Sequence, residues 1–287
     1  MTAQRARIDQ TLDRFLPPAQ ARPAVLHEAM RYSVLAGGKR LRAILCVAAC
    51  EAVGGSVEAA YLPAAAIELL HAYTLIHDDL PAMDNGTLRR GKPTCHIVYG
   101  EANAILAGDA LLTMAFEWMA RCTPRPPWPP GQLIQELAEA AGSQGVIGGQ
   151  VEDLAAEGRP ATADAVEYIH LHKTAALIRA AVRIGAMAGG AKETEFEALT
   201  LYGGDLGLAF QIADDILDAT STTEALGKTA GGDSIQEKVT WVAVFGLDAA
   251  RQKARALVDS AIAALAPLRR KAGALEALAR FMVDRVS

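Results

Sequence analysis

The chain has 287 residues, 51% of them hydrophobic, and a formal net charge of -5. That is enough apolar material for a sizeable core, and the acidic balance excludes a general nucleic-acid or anionic-membrane surface, so any anion site must be local. Cys46, Cys50, Cys95 and Cys122 have neither CxxC spacing nor the density of a disulfide scaffold, the first eighteen residues carry no continuous apolar run, and no stretch of ~18 uncharged apolar residues occurs. The expectation is a cytoplasmic protein without a signal peptide or integral membrane segment.

Alanine is abundant, only 5% of residues are aromatic, and alternating β-branched runs are hard to find, which predicts an all-α chain. In chain order, Gly37-Gly38 and Gly54-Gly55 read as helix C-caps around a segment from Lys39 to Val53. Pro63 suits the first turn of a helix running to about Asp79, and Pro81 limits that helix. CTPRPPWPPG at 122–131, with five prolines, reads as an extended surface connection too short for a domain linker. Residues 161–266 contain no proline and predict long helices. A single domain over 1–287 is expected, with no solenoid repeat.

Two clusters of carboxylates interrupt this apolar background: Asp78, Asp79 and Asp84 in LIHDDLPAMD, and Asp214, Asp215 and Asp218 in FQIADDILD. Like charges ~4 Å apart repel by about 4 kcal/mol at an effective dielectric near 20, so apolar flanks suit them only if cations arrive. Hard oxygen donors without cysteines favour Mg²⁺, shared with a phosphorylated ligand. At about 100° per residue, Gln211, Asp214, Asp215 and Asp218 fall in one stripe roughly 100° wide. Asp78 and Asp84 would lie about 240° apart on a continuous helix, so the chain must leave the helix near Pro81 for Asp84 to swing back. His71 and Thr74 share the face of Asp78, which suggests a cavity leading away from the ions.

Cationic side chains flank both clusters: Lys39, Arg40 and Arg42 after Gly37-Gly38, then Arg89 and Arg90, His172-Lys173-Thr174, Gly227-Lys228 and Lys238. Gly-Gly before a helix start offers backbone N–H groups, and arginine forks match phosphate oxygens, so the combination predicts a site for two diphosphates.

GGKRLR at 37–42, HAYTLIHDDLPAMDNGTLRRGKPTCH at 71–96, GEANAILAGDALL at 100–112, GGQVEDL at 148–154, HKTAALIRAAVRIGA at 172–186 and LAFQIADDILD followed by LGK together resemble the trans-prenyl diphosphate synthases, in particular the bacterial-type farnesyl diphosphate synthases. The resemblance covers nearly the whole chain from about residue 22. It implies an all-α helical bundle around a deep central cavity, commonly a homodimer. The activity it implies is Mg²⁺-dependent condensation of isopentenyl diphosphate with an allylic diphosphate (dimethylallyl or geranyl).

Carried over residue by residue, Asp78, Asp79, Asp84, Asp214, Asp215 and Asp218 would hold the ions that bridge the allylic diphosphate. Arg89, Lys173 and Lys228 would bind that diphosphate, with Lys238 closing over it. Gly38, Lys39, Arg42, His71 and Arg90 would receive isopentenyl diphosphate, and Thr174 and Gln211 would face the developing allylic cation. Tyr73 and Thr74, five and four positions before Asp78, would set chain length; an aromatic at the first position resembles the farnesyl-producing members. Geranyl and geranylgeranyl products are the alternatives.

The chain departs from common family patterns at Asn85-Gly86-Thr87, where many relatives carry further acids, and at Ala43, Glu237 and Val242. The tail at Asp284–Ser287 is also less basic than in some relatives. DDILD disfavours a class I terpene cyclase. A single His-Asp pair, His77-Asp78, disfavours an HD-type phosphohydrolase. Retention of both aspartate motifs disfavours a non-catalytic partner subunit.

Overall fold

In the computed structural model, residues 2–220 and 238–283 are described. The core is built on four helices: α3 (Leu41–Ala52), α4 (Val57–Asp78), α10 (Ala176–Gly189) and α11 (Glu193–Thr220). Every residue of α3 except Arg42 and Glu51 is buried, as expected for a helix that is apolar all round. Contact between α3 and α10 is backbone to backbone, because a Cβ at Gly185 would lie 2.0 Å from the Cys46 carbonyl oxygen and one at Gly189 would lie 2.8 Å from that of Cys50.

α6 (Glu101–Ala120) covers α4, and Gly108 leaves the room in which the His77 ring sits. α1 (Thr2–Phe15) packs on α4, α2 (Ala24–Val34) packs on α6 and α4, and α7 (Gln132–Ala141) packs on α10. α13 (Leu247–Ala264) and α14 (Gly273–Val283) pack on α11. One continuous apolar cluster joins these helices. α4 is long and apolar enough to cross a membrane by composition, but 61% of that stretch is buried inside the protein, as in a core helix.

The all-helical expectation holds apart from one small ribbon, β1 (Leu88–Arg89) paired antiparallel with β2 (Lys92–Pro93). Its two turn residues, Arg90 and Gly91, have φ of 56° and 75°. Positive φ at both central positions gives the tight turn whose twist matches paired strands.

Three local readings need correction. α4 begins at Val57, so Pro63 lies in its second turn. There it is buried, and packing of this core helix outweighs the backbone hydrogen bond its ring removes. Gly37 and Gly38, both at positive φ, lie beyond the Leu35 C-cap of α2. Arg40 takes the left-handed conformation (φ 52°), so α3 starts at Leu41 rather than Lys39. Gly54 and Gly55 do cap α3, donating to Glu51 and Cys50 carbonyls at 2.9 Å each.

The 122–131 segment is non-helical, as its prolines require, yet it is fastened to the core. Trp128 Nε1 donates to the Ala191 carbonyl at 2.9 Å and its ring packs 4.2 Å from Phe196. Among the described residues of the proline-free stretch, long helices predominate, including the 28 residues of α11. α9 (Ala163–Ile169) runs into α10 through a π-helical turn, His170–Ala175, a bulge of the kind often found at functional sites.

Candidate active site

The C-terminal end of α4, the middle of α11, the π-helical turn and α8 (Val146–Ala156) surround a cavity of about 870 Å³. Asp78, Asp79, Asp84, Asp214 and Asp215 all line it. Both acidic clusters therefore face one space. Asp218, one helical turn beyond Asp214, is buried and does not line it.

Asp78 is the last residue of α4 and Asp79 its C-cap. After Pro81 the chain folds back, so that Asp84 N donates to the Asp78 carbonyl at 2.8 Å; this is the return that Pro81 was expected to allow. The β-ribbon then brings in Arg89, whose Nε and Nη2 donate to Asp79 Oδ1 at 2.9 and 2.7 Å. Burial raises the Asp78 carboxyl above its usual range, opposed by Lys173 and reinforced by Asp84. Burial likewise raises Asp79, opposed by Arg89. In both, burial works against the charged form.

On α11, Gln211 Nε2 donates to Asp215 Oδ1 at 3.0 Å, and Gln211 Oε1 accepts from Thr174 Oγ1 at 2.6 Å. Thr174 and Gln211 are thus joined, and both line the cavity. The other Asp215 oxygen accepts from the Trp241 backbone N–H at 2.7 Å and lies 3.2 Å from His170 Nε2.

Lys173 owes its placement to α8. A Cβ at Gly149 would meet Lys173 N at 2.2 Å, so α8 abuts the π-helical turn there. Asp153, one helical turn further along α8, reaches Lys173 Nζ at 2.5 Å. Burial works against the Lys173 charge, but Asp153 and Asp78 more than offset it and hold its pKa above normal. Lys238 bridges the same space, 3.0 Å from Asp84 and 4.0 Å from Asp153. Asp153, His170 and the Trp241 amide were not singled out from the sequence. The signal available for Asp153 was an acid within the apolar GGQVEDL.

A second basic group lies behind the first. Arg42 Nη1 sits 3.4 Å from His71 Nε2, and its buried Nε has no hydrogen-bond partner. Burial lowers the His71 pKa well below 6.5, helped by Arg42 and Arg90; a neutral ring results. Burial also lowers Arg42 and Arg90. Arg90 donates to the Gly37 carbonyl, and its guanidinium fills the room a Gly38 Cβ would take. Arg42, His71 and Arg90 line the cavity, whereas Gly38 and Lys39 do not; Lys39 is exposed. Arg40 is not part of this group: 4% exposed, it pairs with Asp9 at 2.8 Å and Glu68 at 3.3 Å. Lys228 and Glu237 lie outside the described residues.

Away from the aspartates the cavity is walled by Tyr73, Thr74, Val146, Ile147, Leu154 and Phe210. Tyr73 meets His77 edge-on, with centroids 5.1 Å apart. His77 Nε2 is 3.1 Å from the Ile105 carbonyl oxygen.

Among the described residues no three acidic, His or Cys side chains form a ready-made metal shell. Several of the carboxylates are held by lysine and arginine instead. The donor set is oxygen only, which suits a hard ion such as Mg²⁺.

The polyprenyl synthetase family model matches residues 23–276. The farnesyl diphosphate synthase of Escherichia coli K12 is 48% identical over 283 residues, covering 96% of this chain and 95% of that protein. The geranylgeranyl diphosphate synthase of Cyanophora paradoxa is 45% identical over 280 residues, covering 97% and 93%. Among solved structures, a Helicobacter pylori geranyltransferase complexed with magnesium and isoprenyl diphosphate superposes with a TM-score of 0.86 at 34% identity, covering 99% of this chain and 95% of the other. With two aspartate motifs and a ring of cations on one cavity, and a match over most of its length, the chain belongs to the polyprenyl synthetase family and is a short-chain trans-prenyltransferase.

Proposed function

We propose that the protein condenses isopentenyl diphosphate with dimethylallyl or geranyl diphosphate and makes mainly farnesyl diphosphate. The observation that carries this reading is the convergence of both aspartate motifs with Arg89, Lys173 and Lys238 on one cavity. A Mg²⁺ requirement is supported by the all-oxygen donor set and by the magnesium in the H. pylori complex. Asp78, Asp79, Asp84 and Asp214 are the residues we assign to hold it, and the sequence motif adds Asp215 and Asp218. The ions supply positive charge to the leaving diphosphate.

The residues present divide the work as follows. The allylic C–O bond breaks with its electron pair leaving on the diphosphate, and Arg89, Lys173 and Lys238 stabilise that charge; one such donor is worth about 3 kcal/mol, or ~100-fold in rate. Lys228 is assigned to the same group from the sequence alone. The Thr174 and Gln211 oxygens face the allylic cation. Arg42 and Arg90, with neutral His71 as a hydrogen-bonding partner, hold isopentenyl diphosphate; Gly38 and Lys39 are assigned to it from the sequence alone. The π pair of the isopentenyl double bond captures the cation, and the proton lost from the adjacent carbon passes to the released diphosphate. The apolar walls exclude water, which would otherwise quench the cation.

Tyr73, propped by His77, is the floor that stops growth at C15, with Thr74 beside it. Both farnesyl and geranylgeranyl synthases are close relatives, and a geranylgeranyl product is the second reading. We read residues 1–287 as one catalytic unit, cytoplasmic and homodimeric; exposed Ile97, Val98, Ile105 and Leu106 on α5 (Cys95–Tyr99) and α6 support a second copy packing there. Incubation of the purified chain with Mg²⁺, labelled isopentenyl diphosphate and each of dimethylallyl, geranyl and farnesyl diphosphate tests the reading. C15 from the first two primers is expected; C20 as main product would replace the farnesyl assignment, and no product from any primer would overturn it.

A further inference from the structure

Asp215 is held on both of its carboxylate oxygens. Its Oδ1 accepts from Gln211 Nε2 at 3.0 Å, and its Oδ2 accepts from the Trp241 backbone N–H at 2.7 Å. His170 Nε2 lies 3.2 Å from the same Oδ2. Both oxygens are engaged by groups from three separate elements, and Asp215 is 3% exposed. An ion at Oδ2 would displace a backbone amide and a buried ring, leaving those groups without partners, and one at Oδ1 would compete with Gln211.

The Trp241 amide opens α12 (Trp241–Phe245), five residues long. Its first turn has two supports: the Thr240 side chain accepts from Ala243 N at 3.1 Å, and Asp215 accepts the first helical N–H from across the site. The Trp241 ring faces His170 at 6.0 Å in a stacked arrangement. Three residues before Trp241 is Lys238, whose ammonium lies between Asp84 and Asp153. A clamp on Trp241 therefore fixes the register in which Lys238 enters the cavity.

We propose that Asp215 is a positioning residue rather than an ion ligand: with His170 it fastens the start of α12 to α11 and thereby sets Lys238 over Asp84 and Asp153. His170 is the second part of this clamp, oriented by the π-helical turn that also carries Lys173 and Thr174. The ion-binding work of the second aspartate motif then falls first to Asp214, which lines the cavity, whereas Asp218 is buried and does not. This assignment rests on the diphosphate reading of the site only for its catalytic consequence; the clamp itself is a matter of the ligand-free fold.

Two measurements separate these. Hydrogen exchange of the ligand-free protein reads the clamp directly: the peptide spanning 238–245 is expected to exchange at least about tenfold faster in Asp215→Ala, and in His170→Phe, which retains a ring against Trp241. Unchanged exchange in both variants would overturn the clamp whatever the enzyme does. The second measurement is the Mg²⁺ concentration giving half-maximal prenyl transfer, at saturating substrates, for Asp215→Asn and Asp214→Asn. A loss of kcat of about 100-fold with a half-saturating Mg²⁺ within about twofold of the parent is expected for Asp215→Asn, against a rise of at least about tenfold for Asp214→Asn. Equal rises in the two variants would overturn the assignment. A parent protein with no prenyl transfer would sink the functional reading, and the exchange experiment would still decide the clamp.

Discussion

Lys173 Nζ lies 2.5 Å from Asp153 Oδ2, an ion pair between the π-helical turn and α8 with the carboxylate 5% exposed. A lysine in that setting is charged and aimed. The approach depends on Gly149, one turn earlier on α8, because any Cβ there would strike the Lys173 backbone. Removing the carboxylate leaves a buried ammonium free to swing towards Asp78. Asp153→Ala is therefore expected to lower kcat/KM by about 100-fold, with partial recovery in Asp153→Glu, in steady-state assays at saturating Mg²⁺. Gly149→Ala should fail through stability, with a lowered melting temperature.

Tyr73 and His77 both line the cavity and meet edge-on, and we assign them its floor. Tyr73→Ala removes the ring at its floor and is expected to shift the products to C20 and longer, read by chromatography of the dephosphorylated chains. His77→Ala, which removes the edge-on support 5.1 Å away, should shift the same way by a smaller fraction. Variants that still stop at C15 would place the floor elsewhere.

Arg40 and Glu68 form a buried pair, each 3% exposed at the side chain. Glu68→Ala leaves the guanidinium with Asp9 and the Val34 carbonyl but strips the Ala43 amide of its acceptor, and is expected to cost about 1–3 kcal/mol in denaturant unfolding. Lys39→Ala, one residue earlier and exposed, should change stability by less than about 0.5 kcal/mol.

His71 gives a signed pH dependence. Its folded pKa is lowered well below 6.5 by burial and by Arg42 and Arg90, so between that lowered value and 6.5 the unfolded chain binds the proton and the folded one does not. Stability from this group is fully present above pH 6.5 and is lost progressively as pH falls towards the folded pKa. Unfolding free energies measured from pH 8 down to 5 should fall on the acid side, and the fall should be shallower in His71→Gln.

The sequence made the chemistry more legible than its supports. The aspartate motifs were visible because clustered charge in apolar helices is costly, and Pro81 showed that Asp84 had to turn back. The helical stripe placed Gln211, Asp214 and Asp215 together. What stayed hidden was which cation meets which carboxylate. Arg40 and Arg42 look alike in GGKRLR, yet a left-handed backbone at Arg40 sends it to Glu68 and leaves Arg42 in the cavity. Asp153 and His170 act across 20 and 45 residues of sequence on Lys173 and Asp215, pairings that only tertiary packing creates. Pro63 misled the helix start because core burial overrode a local preference.

The central claim is that the two aspartate motifs act on one departing diphosphate in one cavity. A crystal structure of the protein with Mg²⁺ and a non-cleavable thiolo analogue of dimethylallyl diphosphate tests it most directly. Diphosphate density bridged through ions to Asp78 and Asp84 on one side and Asp214 on the other, with Lys173 moved onto its oxygens, is expected. Diphosphate held by one motif alone, or bound outside this cavity, would contradict it.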